Sequence, residues 1–192
     1  MKSKIGELDE AMSEQTKHAK VIGIGSAGSR ERSRAGGNAL ARREPPSLWK
    51  GALAGLIGGL AGSGAKLLAE KIFPPRTQGQ LPPPVVLAEK VAGHRLRESK
   101  RKAAMKGMHW TFGPAVGAIY GAAVEYEPAL AARHGVAFGL GVNALTHEGV
   151  LPKLGLAPAP KKQPRQERWS EAATHALYGF VTETVRKAIR GR

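Results

Sequence analysis

The side chains in this sequence best suited to chemistry are glutamates and histidines that recur four residues from glycines. Gly58, Gly62, Lys66 and Glu70 form one series, and His109, Gly113, Gly117, Gly121 and Glu125 a second. Gly135, Gly139, Asn143 and His147 form a third, and His175, Gly179 and Glu183 a fourth. Positions four apart fall near one face of an α-helix, drifting by about 40° per step, so each series describes a stripe that joins small residues to ionisable ones. Glu70, His109, His147, Glu148, His175 and Glu183 are therefore the candidate functional residues. Imidazole titrates near neutral pH and a carboxylate can exchange protons with it, so the chemistry open to this set is proton or ion handling. A metal site built from His109, His147 and His175 with Glu183 is a second reading, since imidazole and carboxylate suit zinc or iron. H-E-x-x-H is absent, and His147-Glu148 has no second histidine four or five residues away, so neither a metal nor another cofactor is assigned. The plainest reading is structural, with these groups hydrogen-bonding between helices or anchoring their ends. No nucleophile, base and orienting group stand at a recognisable spacing, so an enzyme is not the expectation.

The elements that must position these stripes are helices rich in glycine and alanine. Four are expected, over about 49–72, 108–125, 133–151 and 171–190. From Gly51 to Ala69 the only residues that are not apolar are Ser63 and Lys66. About twenty such residues in a helix cross a bilayer core of roughly 30 Å, which makes this stretch the strongest membrane-span candidate. Gly51, Gly55 and Gly59 stand four apart, as do Gly58 and Gly62. In water each would cost a helix about 1 kcal/mol relative to alanine, whereas in lipid small residues at this spacing let two backbones approach closely. Gly113, Gly117, Gly121, Gly135, Gly139 and Gly179 extend the same packing role to the later helices. Those helices are shorter and less apolar; the last carries His175, Glu183, Arg186 and Lys187 and would insert with help from its neighbours. Trp110, Tyr120 and Tyr126 suit the headgroup boundary.

The chain has 192 residues, with 30 Lys and Arg against 15 Asp and Glu, a net charge of +15, and no cysteine. Disulfides, thiolate metal sites and cysteine nucleophiles are thereby excluded. The mean hydropathy is below zero, low for a polytopic membrane protein, because polar residues gather in the N-terminal tail and two connections. Residues 1–47 read as a disordered basic tail without a sustained apolar face. Gly23, Gly25 and Gly28 spell G-x-G-x-x-G, with Glu44 at about the distance of a ribose-binding acid. Ser29 to Arg34 is too polar to pack on a sheet, however, and no second βαβ unit follows, so the stretch reads as a linker. Pro74, Pro75 and Pro82 to Pro84 open a connection over 73–107 in which an amphipathic helix over 85–106 is a candidate. Lys and Arg divide almost evenly between the two sides of a four-span protein, so the charge rule gives no orientation.

The order LAGSGAKLLAEKIFPPRT, HWTFGPAVGAIYGAAVE, LTHEGVLPKLGLAP and HALYGFVTETVRKAIR resembles the YagU-like bacterial inner-membrane proteins over about Leu48 to Arg190. The resemblance is carried by Lys66 and Glu70 leading into Pro74-Pro75-Arg76, and by His109 with Tyr120 and Glu125. His147 with Pro152, Gly155 and Pro158 adds to it, as does His175 with Glu183 and Arg186. It implies an inner-membrane location and gives no substrate or catalytic residue. The expectation is an all-α polytopic membrane bundle of about four helices over 48–192, in the bacterial inner (plasma) membrane. Its expected role is envelope or acid-stress tolerance through the His and Glu stripes. Its expected partners are the bilayer and, at the basic segments, anionic lipids. A glycine-zipper module that forms a homo-oligomer or holds another membrane protein is the alternative. A soluble nucleic-acid-binding protein would use the charge but explains neither the glycine stripes nor the shortage of aromatics for base stacking, so no nucleic acid is expected.

Overall fold

The structure, a computed structural model, describes residues 45–76 and 79–191. The tail expected over 1–47, with its glycine fingerprint and Glu44, lies outside them apart from Pro45 to Ser47. Every regular element among the described residues is helical. Helix α1 is Leu48–Ile72, α2 is Pro83–Ala92, α3 is Glu98–Tyr126 and α5 is Arg165–Arg190. Between α3 and α5 a 3-10 segment, Pro128–Gly135, leads into α4, Val136–Asn143. Helix α4 continues through a π-helical stretch, Ala144–Val150, and a last turn, Leu151–Lys153.

Local chemistry sets these limits. Helix α1 stops at Ile72 because Pro74 and Pro75 cannot supply the amide hydrogens that the next turn needs. Gly93, at φ 72°, closes α2, so the single amphipathic helix expected over 85–106 is two elements. Its charged second half is the opening of α3, which therefore starts ahead of the apolar segment at 108. Helix α5 likewise begins with a charged turn before residue 171. Helix α4 begins after Arg133 and His134, which take the left-handed values φ 54° and 53°, rather than at 133.

Helix α1 packs along α3 on one side and along α5 on another; α4 packs on α5, and α2 on α3. Each of the three bundle contacts is antiparallel and has glycine on at least one side. A Cβ on Gly51 would lie 2.5 Å from the Gly121 carbonyl oxygen, and one on Gly59 would lie 2.7 Å from that of Gly113. Between them Gly55 meets Gly117 more closely still. The other face of α1 sets Gly58 and Gly62 on the backbone of Thr182 and Tyr178, and Gly135, just before α4, and Gly139 within it sit on Gly179 and His175. Gly135 is doubly constrained, with φ 78° and room for no Cβ beside that of Glu183 at 2.6 Å.

The helix contacts bury several polar and ionisable side chains while several large apolar ones stay exposed. On α5 the buried positions include Glu171, Thr174, His175, Thr182, Glu183 and Arg186. Outward-facing residues include Leu53, Ile119, Leu145 and Phe180, all at least 44% exposed. Soluble cores select the opposite. Among the described residues, α1 alone is long and apolar enough to cross a membrane by length and composition.

Candidate functional site

Helix α5 carries two buried polar centres, two turns of helix and more apart. The first is built around Glu171, one turn before His175 on the same face. Its Oε1 lies 3.3 Å from Arg76 Nη2 and 3.4 Å from His147 Nδ1, and its Oε2 lies 3.6 Å from both Lys66 Nζ and His175 Nδ1. Lys66 is also paired with Glu70, one turn on in α1. The His147 and His175 rings meet edge to face with centroids 5.0 Å apart. His175 donates its Nδ1 hydrogen to the Glu171 carbonyl oxygen at 2.7 Å, which in the neutral ring leaves the Nε2 lone pair open. Thr174 donates to the same carbonyl, and Ser170 donates to the Phe73 carbonyl at 2.5 Å, fastening α5 to the end of α1 beside Arg76.

The side chains come from four separate stretches of the chain, which is why the centre forms only in the folded bundle. Lys66 and Glu70 come from the last turns of α1, where the glycine run has ended. Arg76 comes from the chain just after the prolines. His147 comes from the π-helical stretch, whose wider turn shifts the helix face; such turns are frequent at functional sites. His147 stands at the rim with its side chain 19% exposed, while Glu171 and His175 are 7% exposed.

The second centre joins α3 to α5. Glu183 accepts from Tyr120 Oη at 2.9 Å and receives both Nε and Nη2 of Arg186, at 2.6 and 2.8 Å. Phe138 of α4 stacks on Tyr120 with centroids 3.9 Å apart. All three polar side chains are buried and mutually paired, as ions removed from water require. At the far end of the bundle Arg190 grips Glu125 with two bonds of 2.7 and 2.9 Å, and the Ser47 amide donates to the same carboxylate.

Of the residues singled out from spacing, His147 and His175 come together around Glu171, and Glu70 joins them through Lys66. His109 donates its Nε2 hydrogen to the Ser63 carbonyl at 3.0 Å, a tie from α3 to α1. Glu148 is at the surface, 3.0 Å from Arg168. Glu183 lies in the other centre, so a metal site from His109, His147, His175 and Glu183 is not the grouping the fold makes. Spacing missed Glu171, although the fourth stripe reaches it when extended one turn toward the N-terminus. Lys66 stands in the first stripe, whereas Arg76 was visible only as part of a motif, and no periodicity links it to α5.

A family model described as a protein of unknown function (DUF1440) matches residues 56–184. No curated protein and no solved structure matches the chain. The matched stretch covers well over half of the sequence, includes every residue of the Glu171 centre and is consistent with the YagU-like resemblance, so the protein belongs to the DUF1440 family of unknown function.

Proposed function

We propose that the protein is an integral protein of the bacterial inner membrane, folded as one polytopic bundle, and that the Glu171 centre, with Glu70, His147 and His175, handles a proton or an ion within it. The observation that carries this reading is the inversion of burial: ionisable groups line the helix contacts while leucine, isoleucine and phenylalanine face outward. Hydropathy averages miss such a helix because they count charges that face its neighbours. The exposed positions of α5 from Ala173 to Thr184 carry no charge, and α3 has no Asp, Glu, Lys or Arg between Lys106 and Glu125. A charge at the bilayer centre costs roughly 2.5 to 3.5 kcal/mol on insertion scales, which favours placing each one beside a partner. The charged first turns of α3 and the ends of α5 then lie at the headgroups, where Lys and Arg suit anionic lipids.

The glycines that suggested an assembly module are turned toward helices of the same chain, which favours an intramolecular role for them. Envelope or acid-stress tolerance is the physiological counterpart of ion handling. Alkaline carbonate extraction of membranes tests the location: retention in the pellet is expected, and release would remove the reading. His147→Ala combined with His175→Ala should then impair acid survival and proton flux in vesicles; unchanged flux and survival would remove the ion-handling part.

A further inference from the structure

The Glu171 centre has the features of a ligand set. One nitrogen from each of His147 and His175 and one carboxylate oxygen of Glu171 lie within 4.8 Å of one another, the grouping of this kind found among the described residues. Glu171 Oε2 is buried and has the Lys66 ammonium and His175 Nδ1 at 3.6 Å, beyond hydrogen-bond distance, whereas Oε1 is oriented by Arg76. Residue 171 as a whole is 5% exposed. A buried carboxylate oxygen normally has a donor within hydrogen-bond distance, and neither neighbour comes that close, which leaves this oxygen able to take a closer partner. The histidine on the same helix face is already prepared. Its Nδ1 hydrogen is held by a backbone carbonyl, the arrangement that fixes the tautomer in histidines that bind metals and leaves Nε2 to supply the lone pair. The third donor sits on the π-helical stretch at the rim, where a ligand has access.

We infer that His147, Glu171 and His175 bind a divalent transition-metal ion, of the class that zinc represents. Two imidazoles and one carboxylate match the donor preference of such ions and differ from the oxygen sets that magnesium and calcium take. Bonds of about 2.0 to 2.2 Å would bring the donors to roughly 3.4 Å apart, so loading requires a modest rotation of the rim histidine toward α5. Arg76 remains behind Oε1 as the outer partner of the ligating carboxylate. Lys66 opposes the ion: it stands 3.6 Å from the ligating oxygen, and its pairing with Glu70 gives it another place to go. The inference rests on the reading that this centre is functional and names the ion it holds; it does not require that protons move through it.

The test is zinc binding by the untagged full-length protein in detergent, stripped with a chelator and titrated in competition with a chromogenic chelator. The expected result is one zinc per chain, weakened at least about tenfold in Glu171→Gln and in His147→Ala. Affinity should be tightened in Lys66→Gln and unchanged in His94→Ala and His134→Ala. Cobalt added to the unaltered protein should give the visible absorption of a four- or five-coordinate site, a readout that needs no variant to fold. Failure to bind zinc stoichiometrically, or binding that survives both Glu171→Gln and His147→Ala, overturns the inference. Proton flux measured on the same preparations separates the two ideas. Flux that depends on His147 without zinc binding overturns the metal and keeps ion handling, and loss of both removes the centre as a functional site.

Discussion

Replacing Gly117 by alanine should destabilise the bundle, while the same change at Gly107, ten residues earlier in α3, should not. A Cβ at residue 117 would stand 2.8 Å from Gly59 Cα, 3.1 Å from its nitrogen, and closer still to the Gly55 carbonyl oxygen, where ordinary contact begins at 3.4 Å. All three neighbours are backbone, so no side chain can rotate away and α1 and α3 must move apart. At residue 107 a Cβ would meet nothing within 4 Å. Alanine favours a helix over glycine by about 1 kcal/mol in water, a gain common to both variants that cancels between them. The remaining difference is the cost of forcing one carbon into a packed contact, about 1 to 3 kcal/mol. Denaturant or thermal unfolding of the detergent-solubilised variants, followed by circular dichroism, measures it. Equal stability of the two alanine variants, or greater damage at 107, would refute the close-contact account of α1 and α3.

Arg186→Met leaves the Glu183 carboxylate buried without its guanidinium and should cost about 3 to 5 kcal/mol in the same unfolding assay, a loss that Arg186→Met with Glu183→Leu should partly restore. Tyr120→Phe removes one hydrogen bond to that carboxylate and should cost about 1.5 to 3 kcal/mol, with the bundle still assembled. At the corner between α2 and α3, outside the bundle, the Leu96 amide and the Arg101 guanidinium hold the Glu89 carboxyl below the usual carboxylate range, against the opposing effect of desolvation. Because the folded value is lowered, the stabilisation of this corner is complete above the unfolded value and is lost as pH falls through the folded one. The Leu96 amide resonance should accordingly keep its position at neutral and mildly acidic pH and shift only below the ordinary glutamate range; a shift beginning near pH 6 would contradict the pairing.

The helices were legible because glycine and proline punctuate them: Pro74 ends α1, and the spacing of Gly51, Gly55 and Gly59 marks the face that meets Gly113, Gly117 and Gly121. Their charged ends were not, since apolar runs define only the middle of α3 and α5. The Glu171 centre was half legible. Stripes at spacing four gave Glu70, His147 and His175, because each shares a face with glycines that must pack. They could not give Arg76, which lies beyond the helix that positions it, nor tell that His109 would be consumed by the Ser63 carbonyl. Periodicity says which residues share a face, and only the packing of α1 and α4 on α5 decides which faces share a centre. Glu148 shows the converse: it adjoins His147 in sequence, yet the helix turns it to the surface beside Arg168.

The central claim is that the apolar surface of this bundle faces lipid and its ionisable surface faces inward. The chain has no cysteine, so single cysteines can be placed at Ile119, Leu145 and Phe180, on three different helices, with Arg95→Cys at the exposed α2–α3 corner as the reference. In permeabilised membranes, open to reagent from both sides, a water-soluble maleimide should label residue 95 rapidly and leave the other three unmodified until the membranes are dissolved in denaturing detergent. Labelling of positions 119, 145 and 180 at the rate of position 95 would contradict the account, because it would place that surface in water.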